Sequence, residues 1–590
     1  VKALALFCVL AAAKLLAVAD RELPWSFWTP VALFWQDALV ALLFGGLDFV
    51  LRRKAAASWS LYFLIAGYAA VNVPLTRILG SPLTWQMSQA TGGALADSIT
   101  HYFTAATFAQ IATVVSAAVA FAAFSKRLNR ASVKVGFAAL AALALGGAIA
   151  AQRVDYSGIH RNALVAFVDS TLPRVRAAKQ TVPGNWRESL ARSGDIDDLS
   201  SLVGAAAGRN VVLISLESTG AGYLRCYGAK EDPTPNLTHL AKNSLVFENA
   251  YAATPESIKG LFSVLCSRYP AFDTESDDYA SVRTPSLAQR LANHGYRTAL
   301  FHSGRFMYLD MNAVIQRRGF ETLEDAGAIG GNFNSSFGVD EPATVERMLA
   351  WIDALPIEQR FFLHYLPIAG HHPYATPERG LFPESDDPTQ YLNALHYGDA
   401  ALGKFLDGLR SRGLDTNTLF VIYGDHGEAF GQHDGNYGHT LFIYEENIRV
   451  PLLIAMPGAL VEPRRVKRIA SLIDLAPTVV DLLGLAPEPD YQGTSLLAHG
   501  EQAALFFTDY SLPLVGVRDG KWKLIVELGQ SRAKLFDLNS DSAETRNLAE
   551  QHPAFVTAWQ QRLNEWASAQ KDLIRRPHRT TQSEVLARTE

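Results

Sequence analysis

The sequence predicts an α/β domain built on a largely parallel sheet, preceded by a domain of about five transmembrane helices. Three observations predict this. Apolar residues concentrate at the front of a 590-residue chain, short β-rich runs alternate with helical stretches after residue 208, and polar residues suited to chemistry stand directly behind those runs.

From the amino end, the first 151 residues hold five apolar runs, at 3–19, 31–50, 58–78, 104–124 and 134–151. Each is near the length that crosses a bilayer core. A signal peptide accounts for the first run but not for the four that follow. Lys2, then Arg52, Arg53 and Lys54, then Lys126, Arg127, Arg130 and Lys134 fall at alternate ends of these runs, with Arg21 and Arg77 opposite. The positive-inside rule then places the amino terminus in the cytoplasm and everything after residue 151 outside it. Trp25, Trp28 and Trp85 stand near the expected helix ends, where aromatic rings anchor at the interface or simply pack. The mixed apolar and basic segment 160–180 reads equally as a surface-lying helix or a solvated linker helix.

The domain boundaries expected on this basis are a transmembrane domain at 1–151, a juxtamembrane linker at 152–208, a catalytic α/β domain at 209–502, and a smaller carboxy-terminal region at 503–590. A formal net charge of -5 supplies no basic footprint for nucleic acid. Three cysteines are too few for a disulfide framework: Cys8 falls in a membrane run, and Cys226 and Cys266 read as buried thiols rather than a pair.

The expected strands are 210–216, 297–301, 360–366, 418–423 and 450–456. Glu217 directly follows the first and His302 the second; His371 and His372 follow the third shortly after, and Asp425 with His426 the fourth. Ligand sites of open α/β sheets lie at the carboxyl ends of the strands, so groups scattered in sequence can converge there. One such histidine is usually an ordinary loop residue. Four strand ends carrying Glu, His, His and Asp-His argue for a site. Glu, Asp and His with a hydroxyl oxygen form a mixed donor set that suits one divalent cation, Zn or Mn before Ca or Mg.

Ser257 begins the helical-looking stretch SIKGLFSVLC. Thr254, Pro255, Glu256 and Ser257 read as N-cap, N1, N2 and N3, which leaves Ser257 without a capping task in a first turn that favours an oxyanion or a phosphate. Standing alone, it would be an ordinary first-turn serine.

Several stretches stand in order around it. NVVLISLESTGAGYLRCYG, PESIKGLFSVLCSRYP, YGDHGEAFGQHDGNYGH with YEENIRVPLLI, and SLIDLAPTVVDLLGL resemble successive signatures of the sulfatase branch of the alkaline phosphatase superfamily, across roughly residues 209–545. The resemblance implies an alkaline-phosphatase-like α/β sandwich with a small carboxy-terminal antiparallel subdomain. It implies a nucleophile thirteen residues before the proline of SRYP, which is Ser257 before Pro270. It further implies that Glu217, Ser257, Asp425 and His426 hold the metal and that His371 and His439 contact the transferred group or protonate the leaving oxygen. His302, in FHSG, matches a substrate-side histidine of lipoteichoic acid synthases. His372 and His433 rank below these positions.

Sulfatases that mature a formylglycine carry C-x-P-x-R or S-x-P-x-R; here the run is Ser257-Ile258-Lys259-Gly260-Leu261, without the proline or the arginine. The second aspartate of their first motif is replaced by Gly222. With Glu217, an unmodified hydroxyl and a membrane anchor, the chain resembles phosphoethanolamine and phosphoglycerol transferases and lipoteichoic acid synthases. That implies a phospholipid donor, an envelope glycan or lipid acceptor, and a multi-pass protein of the cell inner membrane with its catalytic domain in the periplasm. The stretch 516–550 and YEENIRVPLLI instead resemble hydrolytic sulfatases, so a membrane-anchored sulfatase or phosphodiesterase stays open, as does a catalytically inactive membrane sensor. Lys259 reads as a point charge replacing the missing arginine near the anion, or as an exposed helix lysine.

Overall fold

Each of the five apolar runs is a helix in the computed structural model, which describes every residue except 20, 22–24, 90–98, 101, 155–157, 179–184, 192–196, 333–339, 460–461, 531 and 576–590. The helices are α1 (Lys2–Ala17), α2 (Thr29–Val50), α3 (Ala55–Leu79), α4 (Ala105–Ser125) and α5 (Arg130–Arg153), followed by the short α6 (Ala163–Ser170). Four of them, α2 to α5, are long and apolar enough to cross a membrane; α1, at 16 residues, falls short of that length. Asn129 and Thr104 cap α5 and α4 through the Ser132 and Thr107 amides, so these starts are set locally.

The chain divides into two units. One comprises residues 1–173, 429–441 and 510–512, the other residues 174–428, 442–509 and 513–590. In the first, helices pack through small residues: a Cβ on Gly147 of α5 would lie 2.2 Å from Trp35 Cγ of α2. Outward-facing Leu43, Leu64 and Leu145 are exposed, an apolar surface that suits lipid. The unit buries an ion pair between Lys14 of α1 and Asp37 of α2. Lys14 also donates to the Leu33 and His160 carbonyls, and Asn162 donates to Asp37 at 2.6 Å. The segment 160–180 is helical only over α6 among its described residues.

The second unit is built on a nine-stranded sheet of β1 (Asn210–Leu216), β2 (Leu245–Tyr251), β3 (Arg297–His302), β4 (Thr322–Glu324), β5 (Phe361–Leu366), β6 (Thr418–Gly424), β7 (Arg449–Val450), β8 (Leu452–Ala455) and β9 (Arg464–Ser471). Its order is β9-β2-β8-β6-β1-β5-β3-β4, with β7 on β2. The centre, β6-β1-β5-β3-β4, is parallel, whereas β8 runs antiparallel to β6 and β2. The expected strand 450–456 is thus two pieces, because Pro451 has no amide to give the ladder. The strands at the middle are buried along nearly their whole length, as a sheet covered on both faces requires. The expected strands did not include β2 and β9, whose outer positions carry Glu248, Arg464 and Arg465.

A second sheet of four antiparallel strands follows, β10 (Ala504–Thr508), β11 (Leu514–Asp519), β12 (Trp522–Glu527) and β13 (Ala533–Asp537). The terminal helix Pro553–Arg575 contributes Trp559 and Trp566 to the core of this subdomain. An α/β domain with a layer of antiparallel strands at its carboxy end is therefore the architecture the sequence predicts.

Candidate active site

Register brings the site residues together. Leu216 at the end of β1 pairs with Gly424 at the end of β6, so the next residues, Glu217 and Asp425, leave the sheet side by side. His302 closes β3 opposite Leu366, which closes β5. The groups thus share the carboxyl edge of the parallel strands.

Ser257 is the first residue of α7 (Ser257–Cys266), and the cap is Glu256, in extended conformation with no side-chain cap bond. This corrects the expected start at Thr254, which is buried and caps nothing. The reason is the extended Glu256: it postpones the first helical bond to Gly260 N–H on the Glu256 carbonyl, so Pro255 remains outside the helix. The shift puts Ser257 at N1 rather than N3, at the very mouth of the helix.

Ser257 Oγ lies 3.3 Å from both Glu217 carboxylate oxygens and 3.0 Å from His426 Nε2. His426 Nε2 is 3.7 Å from Glu217 Oε1 and 3.4 Å from Asp425 Oδ2. His426 Nδ1 donates to the Gly427 carbonyl at 3.0 Å, which orients the ring and turns Nε2 toward the carboxylates. Asp425 Oδ1 accepts the Ser218 and His426 amides at 2.9 and 2.8 Å, leaving Oδ2 on the side of His426.

The donor set fits a divalent cation. One donor atom each from Glu217, Asp425 and His426 lies within 4.8 Å of the others, and all three residues are buried. Among the described residues, neither carboxylate pairs with a lysine or arginine. Burial, and then the Asp425 carboxylate beside it, push the Glu217 carboxyl well above its ordinary range. Two adjacent buried carboxylates without a lysine or arginine partner call for positive charge.

The other sequence candidates divide. His302 is buried and its Nδ1 donates to the Leu366 carbonyl at 2.9 Å; burial lowers its pKa, which keeps the ring neutral. Gly370, the neighbour of His371, packs on the Glu217 backbone, where a Cβ would lie 2.1 Å from the Glu217 carbonyl oxygen. Only glycine permits that approach. The His371 Nδ1 donates to the His372 carbonyl at 2.7 Å, and its ring meets Tyr308 edge-on at 6.2 Å. His372 is partly buried, with its ring against Tyr374. His433 and His439 belong to the segment 429–441 of the first unit, where His439 follows the short strand Tyr437–Gly438.

Lys259 is not an exposed helix lysine. It is 6% exposed, with Nζ 2.9 Å from Asp509 and 3.2 Å from Glu256. Burial opposes its charge, but Asp509 and then Glu256 outweigh that and hold its pKa well above the usual lysine value. Its charge is committed to those carboxylates.

Sequence patterns did not single out the residues that brace the site. Ser218 sits at a φ of 52°, a left-handed conformation uncommon outside glycine, and from there donates its amide to Asp425 and its hydroxyl to Glu217 at 3.1 Å. Tyr391 donates to the Ser218 carbonyl at 2.6 Å, and Tyr374 to the Glu428 carboxylate at 2.7 Å. The polar Ser218-Thr219 pair after a buried strand was the one signal that could have found them.

A serine hydroxyl at a helix mouth, set against a Glu, Asp and His donor set at the carboxyl edge of a mixed sheet, is an arrangement suited to metal-assisted nucleophilic chemistry. Comparison with known proteins narrows the class. Residues 209–485 match the sulfatase family model, and residues 433–569 match that of the N-sulphoglucosamine sulphohydrolase carboxy-terminal region. Residues 209–485, just under half of the chain, therefore form a sulfatase-family domain.

A lipoteichoic acid synthase-like protein of Bacillus subtilis (strain 168) is 28% identical over 321 residues, 50% of this chain and 51% of that one. The chain thus spans about half the length of this relative. Choline-sulfatase of Rhizobium meliloti (strain 1021) is 26% identical over 407 residues, 54% of this chain and 77% of that one. Among solved structures, the lipoteichoic acid synthase LtaP of Listeria monocytogenes superposes with a TM-score of 0.54 at 18% identity, covering 64% of this chain and 95% of that one. This last likeness establishes the fold alone.

Proposed function

We propose that the protein is a metal-dependent, membrane-bound transferase that moves a phospholipid head group, phosphoethanolamine or phosphoglycerol, through a covalent Ser257 intermediate to a cell-envelope glycan or lipid. One observation carries the reading: the Ser257 hydroxyl stands between Glu217 and His426 without the sequence that directs serine to formylglycine. Lipoteichoic acid synthase-like relatives and the apolar helices support a lipid-facing version of this chemistry. The distribution of lysine and arginine supports a catalytic domain outside the cytoplasm.

Glu217, Asp425, His426 and Ser257 would hold the cation, Zn or Mn by donor type; when bound it offsets negative charge on the nucleophile and on the transferred group. In the first half-reaction Ser257 Oγ bonds to phosphorus and the bond from phosphorus to the diacylglycerol oxygen breaks. The serine proton ends on that departing oxygen, carried by His371, because an imidazole exchanges protons readily near neutral pH. In the second, an acceptor hydroxyl displaces Oγ from the phosphoserine diester and returns a proton to Ser257. The first amides of α7, which have no partner within the helix, face the anion throughout.

A second reading has its own support. The four-stranded carboxy-terminal sheet and the match at 433–569 are features shared with sulphohydrolases, and a choline-sulfatase is among the relatives. In that reading water replaces the acceptor hydroxyl. Mass analysis of the Ser257 peptide, after incubation of membrane-purified protein with mixed phospholipids, separates the two. A head-group phosphate adduct is expected; formylglycine at 257 would overturn the transferase reading in favour of a sulfatase.

A further inference from the structure

Glu341 opens the helix α8 (Glu341–Asp353), capped by Asp340 through the Ala343 amide at 2.9 Å. An acidic residue at a helix start normally lies in solvent, where it gains modestly from the dipole. Glu341 is instead 1% exposed. Its carboxylate accepts from Ser303 Oγ at 2.9 Å, from the Ile368 and Ala369 amides at 2.8 and 3.0 Å, and from the Tyr365 hydroxyl. The Glu341 amide in turn donates to the Tyr397 hydroxyl oxygen at 3.1 Å. A buried carboxylate is tolerated when donors saturate it, and this one meets four.

Tyr365 lies in β5, and the other three donors come from two loops. Ser303 directly follows His302, and Ala369 directly precedes Gly370, the residue packed on the Glu217 carbonyl, with His371 next. Ile368 N–H is also 2.9 Å from Ser303 Oγ, so the two loops meet at the carboxylate.

We propose that Glu341 is a positioning residue that ties the loop after β3 to the loop after β5 and thereby fixes His302 and His371, which adjoin the tied residues. The proposal rests on the reading of that site as catalytic. Glu341 touches no reacting atom in it; it acts through Ser303, Ile368 and Ala369. The two loops are joined there because the Ile368 and Ala369 amides lie beyond the last ladder bond of β5 and find their acceptor in partly buried surroundings.

The test uses the full-length protein in detergent, with Glu341→Ala and Glu341→Gln compared by Mn²⁺ binding, hydrogen exchange over residues 366–372, and hydrolysis of bis(p-nitrophenyl) phosphate. Glu341→Ala is expected to bind Mn²⁺ as the parent does, to exchange faster over 366–372, and to lose about 100-fold in kcat with little change in KM, the scale of a small misplacement. Glutamine keeps an acceptor oxygen for the two amides and is expected to restore kcat to within about 3-fold. Unchanged exchange over 366–372 in Glu341→Ala overturns the proposal whether or not the protein turns over the probe. Unchanged kcat in a variant with raised exchange overturns it as well. A parent protein that binds no Mn²⁺ overturns the reading of the metal site instead, with exchange still deciding the tie. If Glu341→Ala does not accumulate, Ser303→Ala and Tyr365→Phe, which each remove one donor, give the same readouts in smaller steps.

Discussion

Lys14 and Asp37, buried among the amino-terminal helices, face each other with opposite charges, while Glu217 and Asp425, buried at the edge of the large sheet, are both acids. The first pair satisfies itself: the ammonium also reaches two carbonyls and the carboxylate an amide side chain. The second pair has an imidazole and a serine hydroxyl for company. In a medium that solvates ions poorly, a balanced pair is a structural fixture and an unbalanced one marks a place for a cation. Buried charge that holds the fold thus differs in kind from buried charge that serves a ligand.

The largest effect bearing on this contrast is expected at Ser257. Ser257→Ala should reduce turnover to background while leaving thermal unfolding and Mn²⁺ affinity nearly unchanged, since the other three donors remain. Retained turnover would remove Ser257 as the nucleophile. Next in size is the balanced pair: Asp37→Leu alone strands the Lys14 charge and should cost about 3–5 kcal/mol, whereas Asp37→Leu with Lys14→Met should recover most of it. Unfolding in detergent measures both, and equal losses in the single and double variants would erase the distinction.

Lys259→Met comes third. It leaves Asp509 buried and should destabilise by about 3 kcal/mol, with KM changed less than about 3-fold. A large rise in KM at unchanged stability would instead put Lys259 on the substrate. Smallest is the response of the unbalanced site to metal: Mn²⁺ at about a hundred times its Kd should stabilise the parent by about 2.7 kcal/mol, and Glu217→Gln should abolish that increment. Without metal the glutamine variant should be at least as stable as the parent, because it removes like-charge repulsion with Asp425. A parent whose stability ignores metal would close the cation reading.

Much of this is legible in the residues themselves. The helical runs, the central strands and the carboxyl-edge positions of Glu217, His302, Asp425 and His426 follow from local apolar patterning and from the rule that strand ends carry sites. Where local patterning failed, a nonlocal cause is visible. The cap at Glu256 follows from its extended backbone, and Lys259 looked exposed because its partner Asp509 lies 250 residues away. The strands β2 and β9 escaped because their charged outer positions dilute the apolar signal.

Local composition and period suffice to say which segments are apolar enough for a bilayer, which form the central sheet, and which residue types are offered at the strand ends. They do not suffice to put Ser257 Oγ 3.0 Å from His426 Nε2, to bring Gly370 and with it His371 onto the Glu217 backbone, or to gather two loops on the Glu341 carboxylate. Those distances are set by strand register and close packing across tens to hundreds of residues, and no short window of the chain contains both partners.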